Sequence, residues 1–455
     1  MEKNRAYSVL ELIGWGKYNI FTFIQCGLAW STFTFWFVNT SFVIQGTTEE
    51  WDLNTLQAGI IGSFITVGLL FGSLFWGHIG NRYGRMRGFK STVIVVVIGS
   101  ILLVLSPNFY TVAGALTILG FGMAGEIALG GTVFYEFCPP SKRNYLTLMS
   151  LFLSSGNITV TFTALMVSLF NTTGFYNWRV ISLVGVVIES ITMIFRFFMH
   201  ETPAYLISQN KQSAADKILN IVSVANTGKS LDKIEYSASL NPNELTQEPE
   251  GTKKVEKKSG NMMKLFKAPL AKTTIVLGMV YMLAGYSYAG IMQFMPEFLE
   301  EFSTSTSYAI ILAQHSCGIP GVFISSKLVD TRLGRKFTIT IFYIFSGLFI
   351  LFFSFSDLVW VTLSMSGLAF ICISLAYSSM FTIAPESFPT SSRSTGLAVV
   401  NLFSRVGGIA SPIITGYFLE IPNGKFYALL SICITFILAG VFALILKETR
   451  GRKIG

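Results

Sequence analysis

Apolar positions follow one another in long runs, and short polar segments separate these runs. Each run has the roughly 20 residues that a helix needs to cross the hydrocarbon layer of a bilayer. The runs lack the alternation of apolar and polar residues that is typical of barrel strands. Because lipid offers the backbone no hydrogen-bond partners, a spanning segment must form its backbone hydrogen bonds within itself, so each run predicts an α-helix. The runs lie near 20–46, 57–79, 89–106, 111–137, 145–170, 178–199, 271–298, 306–329, 337–355, 358–383, 395–419 and 426–446. The chain is therefore predicted to be an all-α polytopic membrane protein with twelve transmembrane helices.

Composition agrees with this prediction and narrows the possible chemistry. The 455 residues are 51% apolar and only 13% charged, whereas soluble domains carry about 25% charged residues. The five cysteines are scattered, mostly within the spans, so they indicate neither a disulfide framework nor a zinc site. The sequence shows no phosphate-binding loop, metal-ligand cluster or catalytic triad, so we expect no cofactor, no metal and no enzymatic activity.

Basic residues concentrate in alternate loops, and the loops between them carry almost none. The basic set is Lys3, Arg5, Lys17, Arg82, Arg85, Arg87, Lys90, Lys142, Arg143, Arg332, Arg335, Lys336, Arg393 and Lys447 to Lys453, together with the lysines of 200–270. The positive-inside rule then places these loops and both termini in the cytosol or its equivalent, although nothing indicates which membrane holds the protein. The net charge of +9 therefore reflects how the chain is oriented in the lipid bilayer and does not indicate nucleic-acid binding.

One long polar segment, 200–270, divides the chain into a first six-helix bundle at 1–199 and a second at 271–455. Its first part, TPAYLISQNKQSAADKILNIV, has helical periodicity. Its later part is rich in Pro, Gly, Glu and Lys, which is typical of a flexible linker. We therefore predict a cytosolic linker with a short helix between two bundles.

The two halves repeat the same motifs at the same spacing. Arg82, Gly84 and Arg85 recur 250 residues later as 332, 334 and 335, and the stretch EFCPPSKR recurs at the same offset as ESFPTSSR. Glu136 and Glu386 then lie at the level of these arginines, so ion pairs could hold the inner side closed and release it when broken. Charges that only set topology are the alternative. The predicted gate residues are Gly77, Arg82, Gly84, Arg85, Glu136, Arg143, Asp330, Arg332, Gly334, Arg335, Glu386 and Arg393.

Together these motifs resemble the major facilitator superfamily. GHIGNRYGRMR is similar to its signature G-x-x-x-D-R-x-G-R-[KR], and GLAW, EFCPPSKRN, HETPAYL and KETRGRK resemble stretches of the branch that holds synaptic-vesicle-protein relatives, organic ion transporters and aromatic-acid or nicotinate carriers. The resemblance implies two six-helix repeats around a central cavity. It also implies transport of a small organic ion by alternating access, driven by a proton or substrate gradient. The chain departs from the pattern at Asn81 and Thr331, where the signature has Asp, and in lacking acids within STFTFW.

Charges inside a span are costly and mark functional sites by default. Glu126 and Glu189 are candidates for a proton or cation site, and His315 is a candidate with a buried structural role as the alternative. Arg405 resembles an arginine with which the organic anion carriers hold substrate. Arg196, nearer the cytosolic end of its span, is expected to reach the interface. The two acids favour a cationic substrate, whereas Arg405 favours an anionic one. An amphoteric substrate would satisfy both signs, and so would an ion pair within the protein that involves no substrate.

Aromatic and amide side chains could line the cavity. Trp30, Tyr288, Tyr377 and Gln293 are the candidates, with packing or lipid contact as the alternative at each aromatic position. We expect a monomer that transports a small organic ion, with a proton as a possible second partner. The alternative is a facilitator-fold protein that has lost transport and serves as a structural subunit of a larger membrane assembly.

Overall fold

The computed structural model describes residues 2–143, 145–170, 177–233, 262–328, 331, 333–355, 358–389 and 392–449. In this part of the chain twelve helices are long and apolar enough to span a membrane, which confirms the prediction. They are α1 (Lys17–Trp51), α2 (Thr55–Arg82), α3 (Arg85–Val104), α4 (Phe109–Phe137), α5 (Leu151–Phe170), α6 (Asn177–Phe197), α7 (Ala271–Phe298), α8 (Thr304–Leu328), α9 (Gly334–Phe353), α10 (Val359–Glu386), α11 (Arg393–Leu419) and α12 (Gly424–Ala443). We call the face where α1 begins the terminal face, and the opposite one the distal face.

Polar caps on the distal face show why two of the spans begin where they do. Asn54 accepts a hydrogen bond from the Gln57 backbone N–H at 2.8 Å, and the Gln57 side chain accepts one from the Asn54 N–H at 3.2 Å. Asn108 and Thr111 form the same reciprocal arrangement before α4. Such capping satisfies backbone donors that the helix itself leaves without partners.

The two halves, α1–α6 and α7–α12, use the same helix pairings. In the first half α4 packs against α2 and α3, and α1 packs against α5 and α6; in the second half α10 packs against α8 and α9, and α7 against α11 and α12. Small residues allow the close approach. A Cβ on Gly120 would lie 2.0 Å from the Ile65 carbonyl oxygen, and one on Gly407 would lie 2.0 Å from that of Met282. The fold therefore consists of two parallel six-helix repeats.

A layer of short helices covers the terminal face of the first half. It contains an N-terminal helix, Glu2–Ile13, and two helices of the linker, Pro203–Ser208 and Gln212–Thr227. Asn226 joins this layer to α1, because its Oδ1 accepts the Tyr18 backbone N–H at 2.9 Å. The linker is thus helical where its periodicity predicts, in two pieces, while the part predicted to be flexible lies largely outside the described residues.

The two halves meet along α2 and α11, α5 and α8, and α1 and α7. Hydrogen bonds join them at the distal face, from Thr55 Oγ1 to the Gly416 carbonyl at 2.8 Å and from the Leu56 N–H to Glu420 Oε1 at 3.1 Å. Closer to the centre, Ser63 Oγ donates to the Ile409 carbonyl at 2.9 Å. These bonds keep the distal end of the interface between the halves closed.

Candidate functional site

A cavity of about 240 Å³ lies between the two halves. It is lined by α1, α2, α4 and α5 of the first half and by α7, α8, α10 and α11 of the second half. Its wall extends to Ser150, just before the terminal end of α5, and to Phe381, near the terminal end of α10. Since the distal end is closed by cross-half hydrogen bonds, this conformation opens the cavity towards the terminal face.

Arg405 supplies the charge of this cavity. It is the one charged side chain among the described lining residues. The structure places no carboxylate within ion-pair distance of it in the described part of the chain, and its Nε is buried without a hydrogen-bond partner. Arg405 is partly exposed to the cavity, and a guanidinium in such an enclosed wall gains stability from an anionic partner, so this cavity favours an anion.

Aromatic rings form the wall beside Arg405. The Tyr377 ring centroid lies 5.3 Å from that of Tyr288, which lies 5.9 Å from that of Phe37 on the opposite half. The Tyr377 hydroxyl donates to the Ala284 carbonyl at 3.1 Å, so its oxygen has lone pairs left to face other donors. Of the aromatic candidates, Tyr288 and Tyr377 therefore line the cavity, where flat ligands can stack on them.

Glu126 lies outside the cavity, in a fully buried polar cluster within the first half. Its carboxylate forms an ion pair with Arg196 of α6 and accepts a hydrogen bond from Thr32 Oγ1 at 3.2 Å. Glu126 and Arg196 are both 0% exposed. The expectation that Arg196 reaches the interface is therefore wrong: its partner is an acid on a neighbouring helix, and a buried charge pair needs no solvent contact.

Glu189 completes this cluster from α6. Its Oε2 accepts a hydrogen bond from Trp36 Nε1 at 3.3 Å, and its Oε1 is buried without a partner among the described residues. The cluster thus holds two carboxyl groups and one guanidinium, all shielded from water. Two carboxyl groups thus share one guanidinium in this cluster.

The remaining single-residue candidates also lie away from the cavity lining. His315 Nδ1 lies 2.8 Å from Thr161 Oγ1, across the interface of α8 and α5. Thr161 Oγ1 already donates to the Asn157 carbonyl at 2.8 Å, so the histidine ring donates to Thr161. Gln293 is fully buried on α7, and Trp30 packs beside a glycine of α4.

At the terminal face the first copy of the repeated motif forms a network within the first half. Arg85 Nε lies 3.3 Å from Glu136 Oε1, and Glu136 Oε2 accepts a hydrogen bond from Thr202 Oγ1 at 2.6 Å. Glu201 accepts the Met86 backbone N–H at 3.0 Å and so caps the start of α3. This network ties α3, α4 and the end of α6 together.

The second copy forms the same network within the second half. Arg335 Nε lies 2.7 Å from Glu386 Oε2, and Glu386 also accepts a hydrogen bond from Thr449. Glu448 accepts the backbone N–H groups of Arg335 at 3.2 Å and Lys336 at 3.0 Å, which start α9. Each ion pair therefore joins helices of one half, and neither crosses between the halves in this conformation.

Glu201 and Glu448, with the threonine after each, belong to these networks but were absent from the predicted gate. The dipeptide Glu-Thr follows the last span of each half, in HETP and KETR. These two glutamates are 247 residues apart, whereas the other repeated residues are 250 apart. A search at one fixed offset therefore misses them, whereas a search for short motifs after the sixth and twelfth spans would find them.

The other predicted gate residues have different surroundings. The Arg82 carbonyl accepts a hydrogen bond from the Tyr205 hydroxyl at 3.1 Å. The Arg143 guanidinium lies 4.1 Å from the centroid of the Tyr135 ring and 4.8 Å from that of Tyr7. Burial, with Glu136 nearby, raises the pKa of Tyr7 to about 12, so it stays a neutral ring for this contact. Asp330 and Arg332 lie outside the described residues. Arg393 begins α11, but its side chain is also outside the described part. Gly77 lies within α2, and a Cβ there would meet open space.

Comparisons with known proteins give both the fold and the family. The sequence is 25% identical to organic cation/carnitine transporter 7 of Arabidopsis thaliana, over 89% of this chain and 86% of that protein. It is 23% identical to the niacin transporter NiaP of Acinetobacter baylyi, over 98% of both chains, and 25% identical to a synaptic vesicle 2-related protein of Pongo abelii, over 97% and 81%. Among solved structures, the partially occluded inward-open xylose transporter XylE from E. coli superposes with a TM-score of 0.74 at 14% identity, over 96% of this chain and 99% of that one.

The family profile described as Major Facilitator Superfamily matches residues 25–412 and again 277–454. The first match alone covers more than half of the chain. The twelve spans, the paired six-helix repeats and the central cavity fit this match. The chain therefore belongs to the Major Facilitator Superfamily of membrane transporters and is not an enzyme.

Proposed function

We propose that this protein moves a small organic anion across the membrane by alternating access, with the anionic group of the substrate at Arg405. The observation that carries this proposal is the unpaired Arg405 guanidinium in the wall of the central cavity. The acids that favour a cation, Glu126 and Glu189, are paired elsewhere and do not line the cavity. These positions support an anion rather than a cation as the substrate.

The relatives agree with an organic ion but not with one sign, since one is named for cations and carnitine and another for niacin. The cavity itself favours an aromatic acid. Its volume of about 240 Å³ suits a single ring, and Tyr288 and Tyr377 offer faces on which such a ring can stack. A small aromatic carboxylate is therefore the substrate class that we propose.

Proton coupling is proposed at the buried cluster of Glu126, Glu189 and Arg196. The neighbouring residue of Glu126, Ile127, lines the cavity, so a change of charge at the cluster can move a piece of cavity wall. A proton taken up there would weaken the ion pair that joins α4 to α6. Coupling then works through helix packing, without contact between the proton site and the substrate.

For the gate, the geometry supports a role that differs from a latch between the halves. We propose that each terminal network keeps one half, 1–199 or 271–455, rigid while the halves rock against each other, with the segment 200–270 as the connection. The basic loops lie on the terminal face, so by the positive-inside rule this face is cytosolic. The conformation described then has its cavity open to the cytosol.

The experiment is uptake by proteoliposomes of labelled benzoate and nicotinate, with a labelled organic cation for comparison and with and without a pH gradient. We expect saturable uptake of a carboxylate, which Arg405→Gln lowers by about 100-fold or more, because a buried charge partner is lost. Arg405→Lys should retain part of the uptake. Lys425→Gln, at an exposed ion pair with Glu301 on the distal face, is the matched control and should change little.

Two results would contradict the proposal. Uptake of the cation alone would mean that Arg405 is a structural group. No uptake of any probe by protein that unfolds cooperatively on heating would favour the alternative, a structural subunit that has lost transport.

A further inference from the structure

Among the polar groups of the cavity wall, one amide of the first half is not used by the proposed function. Asn157 of α5 lines the cavity from the first half, and its side chain is only 6% exposed. Its Oδ1 is buried and has no hydrogen-bond partner in the described part of the chain. An acceptor buried in this way lowers stability unless something donates to it, so it marks the position of a donor that arrives with a ligand.

Asn157 and Arg405 lie at the two ends of one strip of the cavity wall. Tyr377 and Arg405 line the same cavity, the Tyr288 ring lies 5.3 Å from the Tyr377 ring, and the Asn157 amide lies within hydrogen-bond reach of the Tyr288 hydroxyl. The strip runs from α11 in the second half to α5 in the first half. A ring packed against the two tyrosines, which are inclined at 54° to each other, would have one end near the guanidinium and the other near the amide.

We infer that the site selects aromatic carboxylates that carry a hydrogen-bond donor at the end opposite the carboxylate, and that Asn157 Oδ1 accepts this hydrogen bond. This inference rests on the proposed function, because it takes the carboxylate to lie at Arg405. It goes further by naming the part of the substrate that determines specificity. A neutral acceptor suits an amino or hydroxyl group, whereas a bare ring leaves Oδ1 unpaired and an acceptor group repels it. Because the ligand would contact both halves, its binding would also favour closure of the cavity around it.

Three probes that differ only in the group opposite the carboxylate test this selection: 4-aminobenzoate, benzoate and 4-nitrobenzoate, each competing with labelled benzoate for uptake by proteoliposomes. We expect 4-aminobenzoate to bind about five- to tenfold more tightly than benzoate, which is the range for one hydrogen bond to a buried neutral group. The nitro compound should bind more weakly than benzoate. In Asn157→Leu the three affinities should become equal within about twofold, because none of the probes can then gain or lose a hydrogen bond at this position.

Asn401→Leu is the matched control. Asn401 also lines the cavity, but it lies one turn from Arg405, and its Nδ2 donates to the Leu397 carbonyl at 2.8 Å. This variant should change the three affinities in the same proportion and leave their ratios intact. A ratio that survives Asn157→Leu, or a preference for 4-nitrobenzoate, would overturn the inference.

The outcomes separate the inference from the proposed function. If Arg405→Gln abolishes benzoate uptake and Asn157→Leu leaves the ratios unchanged, only the inference fails. If Arg405→Gln leaves benzoate uptake unchanged, or the protein takes up none of the three probes, the proposed function fails and the inference fails with it.

Discussion

A single residue step along α4 separates cavity wall from buried interior. Ile127 lines the cavity, whereas Glu126 faces Arg196 inside the first half. Sequence alone identifies Glu126 as a charge within a span, but successive residues of a helix differ by about 100° in direction. The direction in which each charged residue points depends on how the helices pack, which no local pattern encodes. For this reason the sequence finds Arg405 and Glu126 equally well and cannot tell which of them faces a substrate.

At the same scale, the ion pair of Glu126 and Arg196 makes a prediction for stability. Glu126→Gln removes the carboxylate in direct contact with the buried Arg196 guanidinium and leaves only the more distant Glu189, so the protein should lose up to about 3–5 kcal/mol of stability. Glu189→Gln should lose much less, because a glutamine oxygen can still accept from Trp36. Thermal unfolding of both variants in the same detergent measures the difference. Equal melting temperatures would show that the pair contributes little.

The same cluster makes a separate prediction for proton coupling. The triple variant Glu126→Gln, Glu189→Gln and Arg196→Met removes all three ionisable groups of the cluster together, which leaves no unpaired ion and should keep the protein folded. If the proton binds in this cluster, the triple variant should still exchange substrate across the membrane but should not accumulate it under a pH gradient. Uptake into proteoliposomes at several external pH values is the measurement. Accumulation with an unchanged pH dependence would place the proton elsewhere.

Among the elements, the spans are the part that sequence predicts best, because lipid demands long apolar helices. The last span, for example, is predicted at 426–446 and found at Gly424–Ala443. The run predicted at 145–170 is divided, since a short helix, Tyr145–Leu148, precedes α5. The helix Glu2–Ile13 was not predicted at all. A helix of this length is marginal in isolation, so its sequence does not distinguish it from a loop. It is stabilised by packing against the linker helices.

The start of α3 makes a prediction that depends on one glycine. Gly84 has a φ of +121°, and a Cβ there would lie 2.4 Å from Glu201 Oε2. Gly84→Ala should therefore strain the backbone and displace the carboxylate that caps Met86, with a loss of about 1–3 kcal/mol. Gly77→Ala, seven residues earlier in the same signature, is the control: a Cβ there meets open space, so stability should stay equal or rise slightly. Thermal unfolding of the pair decides the matter, and equal losses in the two variants would contradict the role of Glu201.

Across the whole molecule, the repeat predicts more than either half could alone. The offset of 250 residues places Arg85 and Arg335 in equivalent positions, and the structure gives them equivalent partners, Glu136 and Glu386. The function of these pairs does not follow from the repeat. Sequence shows which residues lie at one level of the membrane, but whether a pair joins two halves or two helices of one half depends on the arrangement of the bundles.

The closed distal end makes a prediction for the conformational equilibrium of the molecule. A Cβ on Gly59 would lie 2.2 Å from the Pro412 carbonyl oxygen, so Gly59→Ala should push α2 away from α11 and favour a cavity open at the distal face. Gly114→Ala, where a Cβ meets open space, is the control. A cysteine introduced in the cavity as Ala289→Cys reports the change through labelling by a membrane-impermeant maleimide.

The reporter cysteine can be read alone because the natural cysteines can be kept from reacting with the maleimide. Cys317 is the partly exposed one and would be replaced by serine, while the other four are buried. Among these, Cys138 lies just beyond the end of α4, where burial raises its pKa to about 11 and so keeps the thiolate scarce at neutral pH. With normal Gly59 we expect labelling from the terminal face, since the cavity opens there. With Gly59→Ala labelling should rise from the distal face, by about tenfold if the clash shifts the equilibrium by 1.4 kcal/mol. Labelling that stays confined to the terminal face would show that the two halves accommodate the added methyl group without rocking. Close packing of α2 on α11 would then not be what keeps the distal end closed.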